Sequence, residues 1–451
     1  MKKPQTDTQD LAKDLAKDLT KDLAKAQAQD LLNFIDASPS PWHVVNTVEQ
    51  RLISHGFTQL HETQAWQLKP DYRYYVVRGG ASIIAFTIGN HTLTETGFRM
   101  VGAHTDSPSL RLKPNTAYAG DGLVRIGVEV YGGPILATFT DRDLSVAGRV
   151  NVRTSAGFEA RLVKFDDALM RLPNLAIHMN REVNDKGLLL NKQTGLPLIF
   201  GETEAGVEAD KQFLTHIADA LAVEVKDILN FELNVFDTQK GVFWGADQEF
   251  IADSQLDNLA SCHAALTALL ATENPVSTCV CALFDHEEVG SESATGASGS
   301  FLADIVSRIA ISLQLSEEAR LQAMAQSFFI SADMAHAYHP NHAVAYEPEH
   351  HALVNKGPVI KTNANQRYST NADTAARFIM LCERTNVPYQ QYVHRTDLGC
   401  GSTIGPIVAS NLGVASVDVG SPMWAMHSIR ESAGVLDHSY MIALLTEMFN
   451  S

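Results

Sequence analysis

Two adjacent glutamates at the end of an apolar run are the side chains of this sequence best placed to do chemistry. The segment TCVCALFDHEEVG, residues 278–290, is apolar and β-prone from Val280 to Phe284 and then changes to Asp285, His286, Glu287 and Glu288. A short buried strand that delivers charge at its end is the pattern of an open α/β sheet, where ligands gather beyond the carboxyl ends of strands. Two neighbouring carboxylates there can divide metal binding and proton transfer between them. Taken alone, the stretch also fits a solvated acidic turn.

The pattern recurs. An apolar run at 98–103 ends in His104, with Asp106 two residues on, close enough to orient a ligating imidazole. Asp257 stands where SQLDN enters a helical run, as a turn or capping residue or as a carboxylate aimed into a cleft. The run 328–331 leads to Asp333 and His336, and 414–419 leads through GSPMWAM to His427. Together His104, Asp257, Glu288, Asp333 and His427 offer the nitrogen and oxygen donors that two divalent ions need, with Asp257 shared between them. Mixed donors of this kind suit zinc, with cobalt or manganese tolerated. Two ions roughly 3.5 to 4 Å apart lower the pKa of a shared water and clamp a tetrahedral intermediate. Glu287 is left over as the general base, and the chemistry is metal-assisted amide hydrolysis. Spacing leaves open which imidazole pairs with which carboxylate.

Positioning these groups requires one catalytic domain read from two parts of the chain. The segments 28–107 and 243–451 carry the apolar runs and helical patterns of an α/β unit. Between them, 108–242 alternates apolar and polar residues in VRIGVEVYGGPILATF and LSVAGRVNVRT, around Gly132-Gly133-Pro134 and Ala147-Gly148. That alternation predicts an inserted β-rich domain of antiparallel strands with tight turns. His178, within the insert, reads on its own as structural. Residues 1–27 contain the charged repeat DLAKDLAKDLTKDLAK, which is either a solvated helix or disordered. The prolines of SPSPWH close the helix that follows it.

Composition narrows the partners. The 451 residues are 45% apolar and carry a net charge of −17, which disfavours nucleic acid and anionic membranes as partners, because both need clustered positive charge. No uninterrupted apolar run approaches the roughly 18 residues of a membrane span. With no signal-like apolar core at the N-terminus and five scattered cysteines, the chain is expected in the cytoplasm with reduced thiols.

The segments SPSPWH, GAHTDSPSLRLKP, LDNLASC, LFDHEEVGS, DMAHAYHP, IKTNANQRY, GSTIGP and AMHSIRE, in this order, closely resemble the M18 metallopeptidases, the aspartyl aminopeptidases. The resemblance runs from about residue 28 to 449. It implies an αβα-sandwich di-zinc peptidase domain interrupted by a β-rich dimerisation domain, with dimers building a tetrahedral dodecamer. It further implies one zinc on His104, Asp257 and Asp333, a second on Asp257, Glu288 and His427, Glu287 as base, and Asp106 as a supporting carboxylate. His336, Lys361 and Tyr368 match substrate-contacting positions, and His178 matches a histidine that reaches the neighbouring subunit's active site. The implied substrates are peptides with a free N-terminus, Asp or Glu first. Rival readings are a related di-zinc aminopeptidase preferring neutral residues, separated by a substrate panel, and a non-catalytic assembly or cargo protein of the same fold, which would need a lost ligand or base.

Overall fold

A computed structural model describes residues 8–70 and 72–451. Its centre is a nine-stranded sheet in the order Thr58–Gln59, Arg73–Arg78, Ser82–Thr87, Thr278–Phe284, Phe98–His104, Phe328–Ala332, Ala415–Gly420, Val359–Thr362 and Gln390–Val393. The four middle strands, Thr278–Phe284 through Ala415–Gly420, run parallel. Their residues are buried on both faces, as expected of parallel strands covered by helices on each side.

Alternation along each strand divides the core. Phe98 and Met100 face a cluster with Phe301, Ile305 and Ile404. Val101 and Ala103 face the opposite cluster with Leu31, Val44, Leu259, Leu266 and Leu444. The result is a helix–sheet–helix sandwich, and because the strands are parallel their charged carboxyl ends emerge along one edge.

The chain leaves this sandwich after His104 and builds a six-stranded antiparallel sheet before returning. Its order is Gly157–Lys164, Leu144–Thr154, Ile228–Asp237, Ser109–Gly120, Leu123–Tyr131 and Leu198–Glu202. It has its own core, with Leu110, Val124, Val146, Phe213 and Leu233. A five-stranded sheet of short strands, which includes Ala335–His336, Pro422–Trp424 and Glu431–Gly434, lies beyond the edge of the large one.

Several local expectations are revised. Gly132-Gly133-Pro134 is not a hairpin turn: the strands before and after it are not paired with each other, and the chain between them crosses to the site edge. Gly132 adopts φ +68°, open to glycine at no cost. Ala147 and Gly148 lie inside a strand, paired to Asn234 and Leu233. Pro41 opens the helix Pro41–Ser54 rather than closing the one before it, since a first-turn proline lacks only an N–H that would go unbonded. The charged repeat belongs to one helix, Thr8–Ala37, and among its described side chains Ala24 and Ala28 are buried in the core. Met1–Asp7 of the extension fall outside the described residues. Cys262, Cys279, Cys281 and Cys382 are buried free thiols and Cys400 is half-buried. Among the described residues no helix is long and apolar enough to cross a membrane.

Candidate metal centre and substrate cleft

The edge formed by the parallel strands brings together groups from five separate stretches of sequence. His104 ends one strand, and Glu287 and Glu288 follow the next in a short turn. Asp333 follows the third, and His427 lies in the loop beyond Pro422–Trp424. Asp257 sits in the first turn of Leu256–Ala271, where its φ/ψ departs from helical and the Asp257–Asn258 peptide is cis. All five candidate ligands and Glu287 line one cleft of about 340 Å³, together with His336, Lys361 and Tyr368.

Within that cleft the two oxygens of Asp257 face different imidazoles. Oδ1 is 3.5 Å from His104 Nε2, and Oδ2 is 3.5 Å from His427 Nε2. His104 Nε2 is also 3.8 Å from Asp333 Oδ1, while His427 Nε2 is 3.5 Å from Glu288 Oε1. These distances are too long for direct hydrogen bonds but suit donors arranged around a cation. The most compact grouping among the described residues, His104, Asp257 and Glu288 within 4.8 Å, crosses between the two pairs, as a shared carboxylate would require.

Electrostatics test whether cations fit. Asp257 Oδ1 and Glu288 Oε1 are buried without hydrogen-bond partners. Burial pushes Glu287 up to about 8, against the pull of His104 and with the repulsion of Asp333, Asp106 and Asp257. Burial and the Asp257 charge push Glu288 well above its usual range. For His104, burial acts downward, but the charges of Glu287, Asp106, Asp257 and Asp333 outweigh it and hold the imidazole well above its usual value. So many buried carboxylates around orphaned oxygens form a concentration of negative charge that a divalent cation neutralises. The nitrogen and oxygen donor set fits zinc.

The supporting groups explain why these side chains stay aimed. Asp106 lies beneath the cluster: its carboxylate accepts the Tyr131 hydroxyl at 2.8 Å and the backbone N–H groups of Glu287 and Glu288 at 3.1 Å each. Its backbone carbonyl accepts His104 Nδ1–H at 2.9 Å, which leaves Nε2 facing the cleft. His427 Nδ1 donates likewise to the Gly133 carbonyl at 3.1 Å, so the inserted segment reaches the site through its backbone. Lys361 is nearly fully buried; its Nζ donates to the Met334 carbonyl at 2.9 Å and lies 3.6 Å from Asp333 Oδ2. The Tyr368 ring sits 5.4 Å from the same ammonium. Burial, with Lys361 and His394, pushes His336 down to about 4, which keeps it neutral at neutral pH.

His178 is the exception. It lies exposed in the loop between the buried Leu172 and Leu196 and does not line the cleft of its own chain.

One carboxylate escaped the sequence reading. Glu431 is buried, and its Oε2 accepts the Asp257 N–H at 2.9 Å while Oε1 accepts the His427 N–H at 2.6 Å. The available signal was an acid four residues after a candidate ligand, in AMHSIRE. Tyr131 and Gly133 gave none, because their roles depend on how the inserted sheet meets the sandwich.

The family profile "Aminopeptidase I zinc metalloprotease (M18)" matches residues 34–449. A "Probable M18 family aminopeptidase 2" of Pseudomonas paraeruginosa is 45% identical over 426 residues, covering 94% of this chain and 98% of that protein. Among solved structures, a chain of a cryo-EM structure of the Ape4 and Nbr1 complex matches with a TM-score of 0.91 at 38% identity, covering 95% of this chain and 86% of that one. A dodecamer of S. cerevisiae mApe1 matches with a TM-score of 0.81 at 27% identity, covering 95% and 96%.

Proposed function

The chain belongs to the M18 family of zinc metallo-aminopeptidases, and from that premise we propose that it releases Asp or Glu from the N-termini of peptides in the cytoplasm. The observation that carries this reading is the placement of Asp257, with one carboxylate oxygen facing His104 and the other facing His427. It supports two zinc ions, one held by His104, Asp257 and Asp333 and the other by Asp257, Glu288 and His427. Zinc held there would supply Lewis acidity, acidifying a water and polarising the scissile carbonyl.

The chain's own groups do the rest. Glu287, 3.9 Å from His104 Nε2 at the lip of the cluster, takes the proton of the attacking water and returns it to the leaving amine. Asp106 fixes the backbone of Glu287 and Glu288, so that base and ligand keep their relative positions. Carboxylate edges at the cluster accept the substrate's α-ammonium group. Lys361, Tyr368 and neutral His336 form the wall that receives the first side chain. The inserted sheet forms a dimer that builds toward a dodecamer, and His178 enters the cleft of the neighbouring subunit; the mApe1 dodecamer supports the assembly.

A preference for neutral first residues is favoured by one observation, that the Lys361 ammonium is already engaged by Asp333 and the Met334 carbonyl. Release rates from matched peptides beginning with Asp, Glu, Leu or Ala, measured after chelation and again after zinc is restored, separate the readings. Zinc-dependent release favouring Asp and Glu by about tenfold or more is expected, the effect of one good charged contact. A preference for Leu or Ala would transfer the conclusion to the neutral reading, and zinc-independent release would remove the metal mechanism.

A further inference from the structure

The wall of the cleft opposite the metal cluster is built from two loops that are not adjacent in sequence. One, between Val359–Thr362 and the helix Ala372–Thr385, supplies Tyr368. The other, leading into the helix Ile404–Leu412, supplies Gly401, Ser402 and Thr403. The loops meet in one small apolar cluster, where Tyr368 packs with Ala335, Ala352, Val359 and Tyr392 and half-buried Cys400 packs against them. Their direct polar contacts are few: Ser402 Oγ donates to the Arg367 carbonyl at 3.2 Å, and Cys400 Sγ lies 3.5 Å from the Tyr368 hydroxyl.

Both are tied to one carboxylate. Asp418, fully buried in the strand Ala415–Gly420, accepts the Thr403 hydroxyl on Oδ1 at 2.5 Å. Its Oδ2 accepts the Ser369 N–H at 2.6 Å and the Ser369 hydroxyl at 2.7 Å. Its own N–H donates to Thr370 Oγ1 at 2.9 Å, and Ser369 Oγ is also 2.7 Å from Ser416 Oγ. Thr403 is the N-cap of Ile404–Leu412, so the carboxylate sits against the positive end of a helix that helps to offset its burial. A Cβ at Gly405 would lie 2.2 Å from Asp418 Oδ2, so the helix approaches closely because that position carries no side chain. The same strand pairs with Phe328–Ala332, which leads to Asp333. Asp418 therefore refers both loops to the sheet that also carries the metal cluster, without touching substrate or ligand.

We propose that Asp418 is a positioning residue for substrate binding, which holds the Tyr368 loop and the Gly401–Thr403 loop in register across the cleft. The residue before one arm, Tyr368, and the residue that carries the other, Thr403, both line the cleft, so releasing either arm displaces a wall that faces the first side chain of a bound peptide. This inference rests on the aminopeptidase reading for its kinetic consequence but not for its structural one.

The test uses full-length Asp418→Asn, which keeps the shape of the side chain but replaces one acceptor oxygen by an N–H₂ that cannot accept from Ser369 or Thr403. Hydrogen–deuterium exchange should rise in both segments, 365–371 and 400–404, with the segments around His104, Asp257 and Glu287 unchanged. Zinc content should equal that of the unaltered protein. On peptide substrates KM should rise by about tenfold while kcat changes less, the split expected when ground-state and transition-state binding are lost together. Unchanged exchange in both loops, or a loss of zinc equal to the loss of activity, would overturn the proposal. Because the exchange readout needs no turnover, failure of the aminopeptidase reading is seen separately, as an unaltered protein without zinc-dependent release. If Asp418→Asn does not fold, Thr403→Val removes one arm and Ser369→Ala weakens the other by removing its hydroxyl bond while the Ser369 N–H stays on Oδ2. Raised exchange in the untouched loop supports a common anchor, and effects confined to the altered loop reject it.

Discussion

The nine-stranded sheet and the six-stranded sheet solve different problems with the same backbone geometry. Strands of the first are buried on both faces and end together, so His104, Glu287, Glu288 and Asp333 inherit their positions from the core itself. Strands of the second bury one face on their own cluster and leave Phe158 and Leu229 on the outside. Between Leu172 and Leu196 this sheet sends out a loop in which Leu175 is 68% exposed, Met179 76% and Leu189 87%. Three large apolar side chains left this exposed on one loop are the composition that an interaction surface would use. A packed sheet edge can complete a site within one chain. An exposed excursion carrying His178 contributes only where another surface receives it.

The sharpest way to break this comparison is at the sheet edge. If chemistry resides there, Glu287→Ala lowers kcat by about 10² to 10⁴-fold, the range for loss of a general base, while zinc content and thermal stability hold. Those last two should hold because Asp106 bonds the Glu287 backbone, not its carboxylate. Retained turnover would move the base elsewhere. Glu431→Gln probes the next layer. Glu431 bonds the backbones of Asp257 and His427 and reaches no substrate, so its loss should appear as roughly 10- to 100-fold weaker metal binding, as for other outer-layer partners. Competition of the protein with a zinc indicator measures this directly. Unaltered zinc affinity with lower activity would give Glu431 a different role.

The same contrast explains what could be read in advance. Apolar runs that end in charge announced the parallel strands and their edge, because a strand buried on both faces carries charge inside the sheet only where that charge is bonded on all sides, as Asp418 is. His336, Lys361 and Tyr368 line the cleft at those ends, and Asp106 lies behind His104. Asp418 was illegible, and Glu431 was marked only by its place four residues after His427, for the opposite reason. Asp418 bonds groups of two loops distant in sequence, and Glu431 joins the nearby His427 backbone to that of the distant Asp257, bonds that no periodicity records. The Gly132-Gly133-Pro134 segment misled because glycine and proline mark a turn in any context, whereas here they let the chain pass close to Glu288 and present the Gly133 carbonyl to His427.

The smallest expected effect tests the other half of the comparison. His178 is exposed in its own chain, so replacing it costs no core packing, and His178→Ala should leave melting temperature and zinc content unchanged. Its proposed entry into a neighbouring cleft supplies one polar contact, and kcat/KM should fall by about tenfold, or ~1.4 kcal/mol. The deciding measurement is a mixing experiment. Glu287→Ala chains keep a native His178 but lack the base, and His178→Ala chains have the reverse defect. If His178 serves a partner's cleft, mixed assemblies regain clefts with both groups, and activity rises above the sum of the separate variants. If it acts within its own chain, or not at all, mixing restores nothing. The inserted unit's share in the site would then be confined to its own chain, where the Tyr131 hydroxyl bonds Asp106 and the Gly133 carbonyl bonds His427.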